Sequence, residues 1–94
     1  MNGKYDYKNL EANATTLIRT GAGVLHAITI NTKGASANVI TVYDGISASG
    51  TLIATIDSTV DPGTFFYDVS FNTGLTIVIG TGTAAKITVA WVSG

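Results

Sequence analysis

The residues with the most obvious chemical capacity are a single histidine, His26, and four aspartates in the body of the chain, Asp44, Asp57, Asp61 and Asp68. A histidine can act as general base for a neighbouring serine or threonine, and two carboxylates at a suitable separation can hydrolyse a glycosidic bond. Position argues against both. His26 lies inside the apolar run Val24 to Ile30, where it reads as a packed or interface-facing side chain. The aspartates lie in or beside turn sequences, where Asp caps the local backbone. As oxygen ligands, Asp44, Asp57 or Asp61 can converge on a calcium ion at one end of a sandwich, the competing reading being ordinary turn residues. The stretch Gly80 to Lys86 lacks the spacing of a phosphate loop and no helix follows it, so it reads as a hairpin turn. Trp91 with Tyr43, Phe65, Phe66 and Tyr67 can form a sugar-stacking platform, against the simpler use of core packing. The chain has no cysteine, which removes disulfides, thiolate chemistry and cysteine-bound zinc together. No catalytic set, cofactor site or metal site emerges, and the expectation is a protein that is not an enzyme.

The elements that carry these residues are strands. Threonine, valine and isoleucine are frequent, glutamate and methionine occur once each and glutamine never, a balance that favours strand over helix. Apolar side chains recur at every second position, the period of a pleated strand. Val24, His26, Ile28 and Ile30 form one such row, and Phe65, Tyr67, Val69 and Phe71 another. Glycine-containing turns such as Asp44-Gly45, Asp61-Pro62-Gly63 and Asn72-Thr73-Gly74 separate the runs. The pattern predicts about seven strands, over residues 14–19, 24–31, 38–44, 51–57, 64–71, 75–79 and 86–92. Short strands with turns every 8 to 12 residues indicate a single antiparallel β-sandwich or small jelly roll spanning residues 13–94. Residues 1–12 lack alternation and carry Lys4, Asp6, Lys8 and Glu11, so they read as an extended N-terminal arm with Tyr5 and Tyr7 as anchors.

With 94 residues there is one hydrophobic core and no room for a second. Charged residues make up 12% of the chain, about half the share usual in soluble domains, while apolar residues stand at an ordinary 46%. Charge on the surface keeps monomers apart, so a chain this neutral is expected to associate with copies of itself or to lie against a larger partner. Five basic and six acidic residues leave a net charge of −1, which offers no footprint for nucleic acid or anionic lipid. No apolar run is long enough to span a membrane. The first eight residues lack the apolar core of a signal peptide, so export by that route is not expected, and Asn13-Ala14-Thr15 reads as a chance glycosylation sequon.

Three segments carry a resemblance: the strand Gly23-Val24-Leu25-His26-Ala27-Ile28-Thr29-Ile30-Asn31, the hairpin Val42-Tyr43-Asp44-Gly45-Ile46-Ser47-Ala48-Ser49-Gly50-Thr51-Leu52-Ile53-Ala54, and the strand pair Tyr67 to Val78. From about residue 13 onward the chain resembles small all-β virion proteins of tailed bacteriophages, including capsid decoration (cement) and head or tail fibre proteins. The resemblance implies a structural protein on the capsid surface of the virion, with the major capsid protein and further copies of itself, as a homotrimer or other homo-oligomer, as partners. Under that expectation Tyr5, Tyr7, Lys8 and Arg19 are the partner-binding residues. A fibre module and a carbohydrate-binding β-sandwich are the alternatives.

Overall fold

The computed structural model describes residues 5–93. Eight strands account for most of them: β1 (Asp6–Leu10), β2 (Ala14–Thr20), β3 (Gly23–Thr32), β4 (Val39–Asp44), β5 (Thr51–Asp57), β6 (Gly63–Phe71), β7 (Gly74–Gly80) and β8 (Lys86–Ser93). They form two four-stranded antiparallel sheets, ordered β1-β8-β3-β6 and β2-β7-β4-β5. Every link between consecutive strands crosses from one sheet to the other except the β4–β5 hairpin, which is the connectivity of a jelly roll.

Seven of the strands stand within a residue or so of where alternation predicts them; the eighth is a correction. The segment expected as a free arm is, from Asp6 to Leu10, a sheet strand paired in register with β8, from Asp6 opposite Trp91 to Leu10 opposite Ile87. The sandwich therefore begins at Asp6 rather than at residue 13; Met1 to Lys4 of the expected arm lie outside the described residues. Sequence alternation missed β1 because it is an edge strand: only Leu10 is buried, while Asp6 and Lys8, at the same register face, stay in water.

The two sheets bury Leu25, Ile28, Ile30, Phe71, Ile87 and Val89 from one side, and Ile40, Val42, Ile56, Leu75, Ile77 and Ile79 from the other. Each contributes about 1.5–3 kcal/mol by leaving water. The alternating row predicted for β3 changes phase. The pairing of β3 shifts between Leu25 and Ala27 against both neighbours, so Leu25 rather than Val24 is buried, and His26 is released from the inward row. Phe65, Tyr67, Val69 and Trp91 pack against the core, and burial pushes the Tyr67 phenol above its ordinary pKa.

Crossing connections collect the loops at two ends. At one end the buried Asn38 joins four of them. Its Nδ2 lies 2.9 Å from Asn13 Oδ1, 3.1 Å from the Gly80 carbonyl and 2.7 Å from the Thr81 carbonyl. Its Oδ1 accepts from Ser58 Oγ at 2.5 Å and from the Ala85 N–H at 3.1 Å. The loops approach so closely that a Cβ on Gly34 would stand 2.6 Å from Ser58 Oγ and 2.7 Å from the Thr83 carbonyl. Gly82, at φ +59°, meets the same crowding, so both positions require glycine.

At the other end Asp44 caps the β6–β7 turn, accepting N–H bonds from Asn72, Thr73 and Gly74. The Thr73 and then the Asn72 N–H hold its carboxyl below the ordinary value of 3.8, partial desolvation opposing them and Gly74 assisting. A carboxylate whose pKa is lowered by folding stabilises the fold above its unfolded pKa, and that contribution is lost as pH falls through the lower folded value. Asp44→Asn is therefore expected to cost about 1 kcal/mol at neutral pH, allowing for solvent screening. The gap to wild type should begin to narrow below about pH 3.9, the unfolded carboxylate value, and close as pH falls through the lower folded value. Urea titrations of both proteins at pH 7 and pH 3 check this; a gap that stays constant contradicts it.

Candidate interaction face

The phase change at His26 sets up the most distinctive surface of the molecule. On the outer face of the β1-β8-β3-β6 sheet, Tyr7 lies opposite Ala90, Ala90 opposite Ala27, and Ala27 opposite Phe66. One row across four strands thus reads tyrosine, alanine, alanine, phenylalanine, with the two rings 70% and 69% exposed and Ala27 buried between them. Beside this row the Tyr5 ring stacks on His26 at 4.1 Å and 11°, and Phe66 meets His26 edge-on at 5.6 Å. Asp68, in a left-handed conformation at φ 49°, brings Oδ1 to 2.6 Å from His26 Nδ1. That contact fixes the imidazole between two aromatic rings.

The next row is polar but uncharged. Asn31 Nδ2 donates to Thr88 Oγ1 at 2.8 Å, which donates to Asn9 Oδ1 at 2.7 Å, and Thr29 and Thr64 share a hydroxyl bond at 2.9 Å. Pairing these groups with one another lowers the cost of taking the face out of water. Only Asp68 and Lys86, at opposite ends, bring charge to the outward positions of these four strands. The face is therefore suited to contact with another surface.

Of the four residues expected to bind a partner, Tyr5 and Tyr7 belong to this face. Lys8 occupies the other register face of β1, opposite Val89. Arg19 lies on β2 in the second sheet, with its Nε donating to the Ala22 carbonyl at 3.0 Å. The four do not form one surface. Phe66, Ala27, Ala90 and Asp68 complete the face and were not singled out as contact residues, although the sequence places Phe66 opposite the inward Phe65 and Tyr67.

Asp44 caps the β6–β7 turn, whereas Asp57, at the opposite end of the β4–β5 hairpin, accepts from the Thr59 hydroxyl and N–H. The two cannot share a calcium ion, and among the described residues no group of three or more His, Asp or Glu is placed to hold a metal. Trp91 packs against the core and Tyr43 lies in the other sheet, so the sugar platform is not assembled. His26 and Asp68 form two parts of a charge-relay arrangement, and among the described residues Asp68 is the hydrogen-bond partner of that imidazole.

No protein-family model and no curated protein matches the sequence. Among solved structures the chain is similar to the Drosophila NLP core, a protein described for pentamer formation and histone binding, with a TM-score of 0.54 and 14% identity. The match covers 94% of this chain and 95% of that one. At this identity the likeness establishes the fold. It also corrects the expectation, drawn from the resemblance of three sequence segments, of a virion decoration protein seated on the major capsid protein: the similar solved structure is a protein described for pentamer formation and histone binding, and neither the capsid partner nor the decoration role is retained.

Proposed function

We propose that this chain is a non-catalytic subunit of a homo-oligomer, acting through contact between folded surfaces. The observation that carries the reading is the outer face of the β1-β8-β3-β6 sheet, where two aromatic rings about 70% exposed flank buried alanine and the outward charges are only Asp68, held by His26, and Lys86. Exposed aromatic side chains on a charge-poor face mark interaction sites, because burying them is favourable and few ions must be desolvated. Pentamer formation by the Drosophila NLP core shows that a jelly roll of similar form supports closed assembly. The histone binding of that protein is not carried over. A polycationic partner calls for a strongly acidic surface, and here six acidic residues are set against five basic ones.

Sedimentation velocity across a hundredfold concentration range tests the reading. The expected result is a species larger than the 9.7 kDa chain, or a sedimentation coefficient that rises with concentration. A 9.7 kDa monomer at every concentration would overturn it.

A further inference from the structure

We infer that the copies meet face to face through the outer surface of the β1-β8-β3-β6 sheet, the Phe66 ring of each entering the alanine trough of the other. This rests on the reading that the chain self-associates and adds which surface does so.

The sheet edges are unsuited to pairing. A sandwich of two open sheets has four edge strands, each a template for strand addition unless it is interrupted. Edge strand β1 carries the exposed charges Asp6 and Lys8. In β6 the ladder breaks at Asp68, whose positive φ and extra residue shift the register against β3. The pairing of β2 shifts between Leu17 and Arg19, and that of β5 shifts opposite Val42 and Tyr43. Each edge is charged or bulged, the usual devices against edge-to-edge association. Attachment by exposed edges is thus disfavoured, and the faces remain.

The outer face of the β1-β8-β3-β6 sheet is self-complementary. The row Tyr7, Ala90, Ala27, Phe66 holds both a ridge and a trough, so one copy supplies what another lacks, as a contact between identical patches requires. Few charges have to be covered: Asp68 is held against His26, and Lys86 lies at the far end. The two larger extents of the molecule are 37 and 27 Å, so covering most of a face reaches the roughly 800 Å² per partner that a standard interface buries. The opposite sheet is the weaker candidate, because its exposed Leu17 and Leu52 sit on separate edge strands with buried Thr76 and half-buried Tyr43 between them, whereas the exposed rings Tyr5, Tyr7 and Phe66 lie on the first face.

Two variants and one mapping experiment decide it. Phe66→Lys places a charge on the proposed interface at an exposed position that the fold does not depend on, and Leu52→Lys does the same on the opposite face. Phe66→Lys is expected to weaken self-association more than about tenfold, as loss of a central aromatic contact does, with Leu52→Lys within twofold of wild type. Independently, amide signals of the wild-type chain that move on dilution are expected at Tyr7, Ala27, Phe66 and Ala90. A wild type that is monomeric throughout overturns self-association itself. Variants that both associate like wild type, or dissociation by Leu52→Lys alone, overturn the face assignment and leave self-association standing. Dilution shifts confined to β2, β4 and β5 do the same.

Discussion

Asn38→Leu is expected to lower the stability of the fold by about 3–5 kcal/mol, the range for breaking a buried polar network. Leucine has a similar volume, so the loss comes from the partners. The Ala85 N–H loses its acceptor, the Ser58 hydroxyl keeps only the main-chain carbonyl of residue 38, and the Gly80 and Thr81 carbonyls lose a donor, with Ser58 and Ala85 fully buried. Buried groups left in that state each cost about 1–3 kcal/mol. A domain of this length holds roughly 5–14 kcal/mol in total, so the variant is expected to be partly unfolded at 37 °C. Urea denaturation followed by circular dichroism provides the check. A midpoint within 0.3 M of wild type would show that the four loops hold together without Asn38. Ser58→Ala, which removes one spoke of the hub, is expected to fall between the two proteins.

The second large effect follows from the redefinition of the N-terminal segment. Removing residues 1–10, which would be harmless were they an arm, takes away β1, and with it the burial of Leu10 and the pairing partner of β8 from Ile87 to Trp91. Leu10 alone accounts for about 2 kcal/mol. The truncated chain would present β8, with Ile87, Val89 and Trp91, as an open edge charged only at its first residue, Lys86, in place of a strand bearing Asp6 and Lys8. A fall in melting temperature of about 10 °C and a gain in aggregation are expected, measured by calorimetry and light scattering. Double substitution Tyr5→Ser and Tyr7→Ser keeps β1 and separates the two roles of the segment. It should leave stability near wild type while weakening self-association. A truncated protein that melts like the full chain would return residues 1–10 to the status of an arm.

How much of this was legible in the sequence varies with the range of the interaction. The β6 row Phe65, Tyr67, Val69, Phe71 was readable because all four face one core and period two is a local property of the strand. The row through Val24 and His26 was misread because the bulge that shifts it arises from strands that pair with β3 only in the fold. His26 was recognised as a packed or interface-facing residue, but its neighbours Tyr5, Phe66 and Asp68 come from three separate places in the chain. Asn38 reads as the first residue of a strand. Its actual role depends on Asn13, Ser58 and Ala85, whose distance along the chain leaves no signature in spacing.

By itself the sequence determined the class of fold, the positions of seven strands and the poverty of charge on the surface, since propensity, alternation and composition are properties of neighbouring residues and of totals. The tertiary structure alone decided the jelly-roll order of the strands, the inclusion of β1, the buried hub at Asn38 and the aromatic face around Ala27 and Ala90. Those four are products of long-range pairing: which strands become neighbours is settled by closure of the whole sandwich over one core, and a residue's surroundings exist only once that closure has occurred.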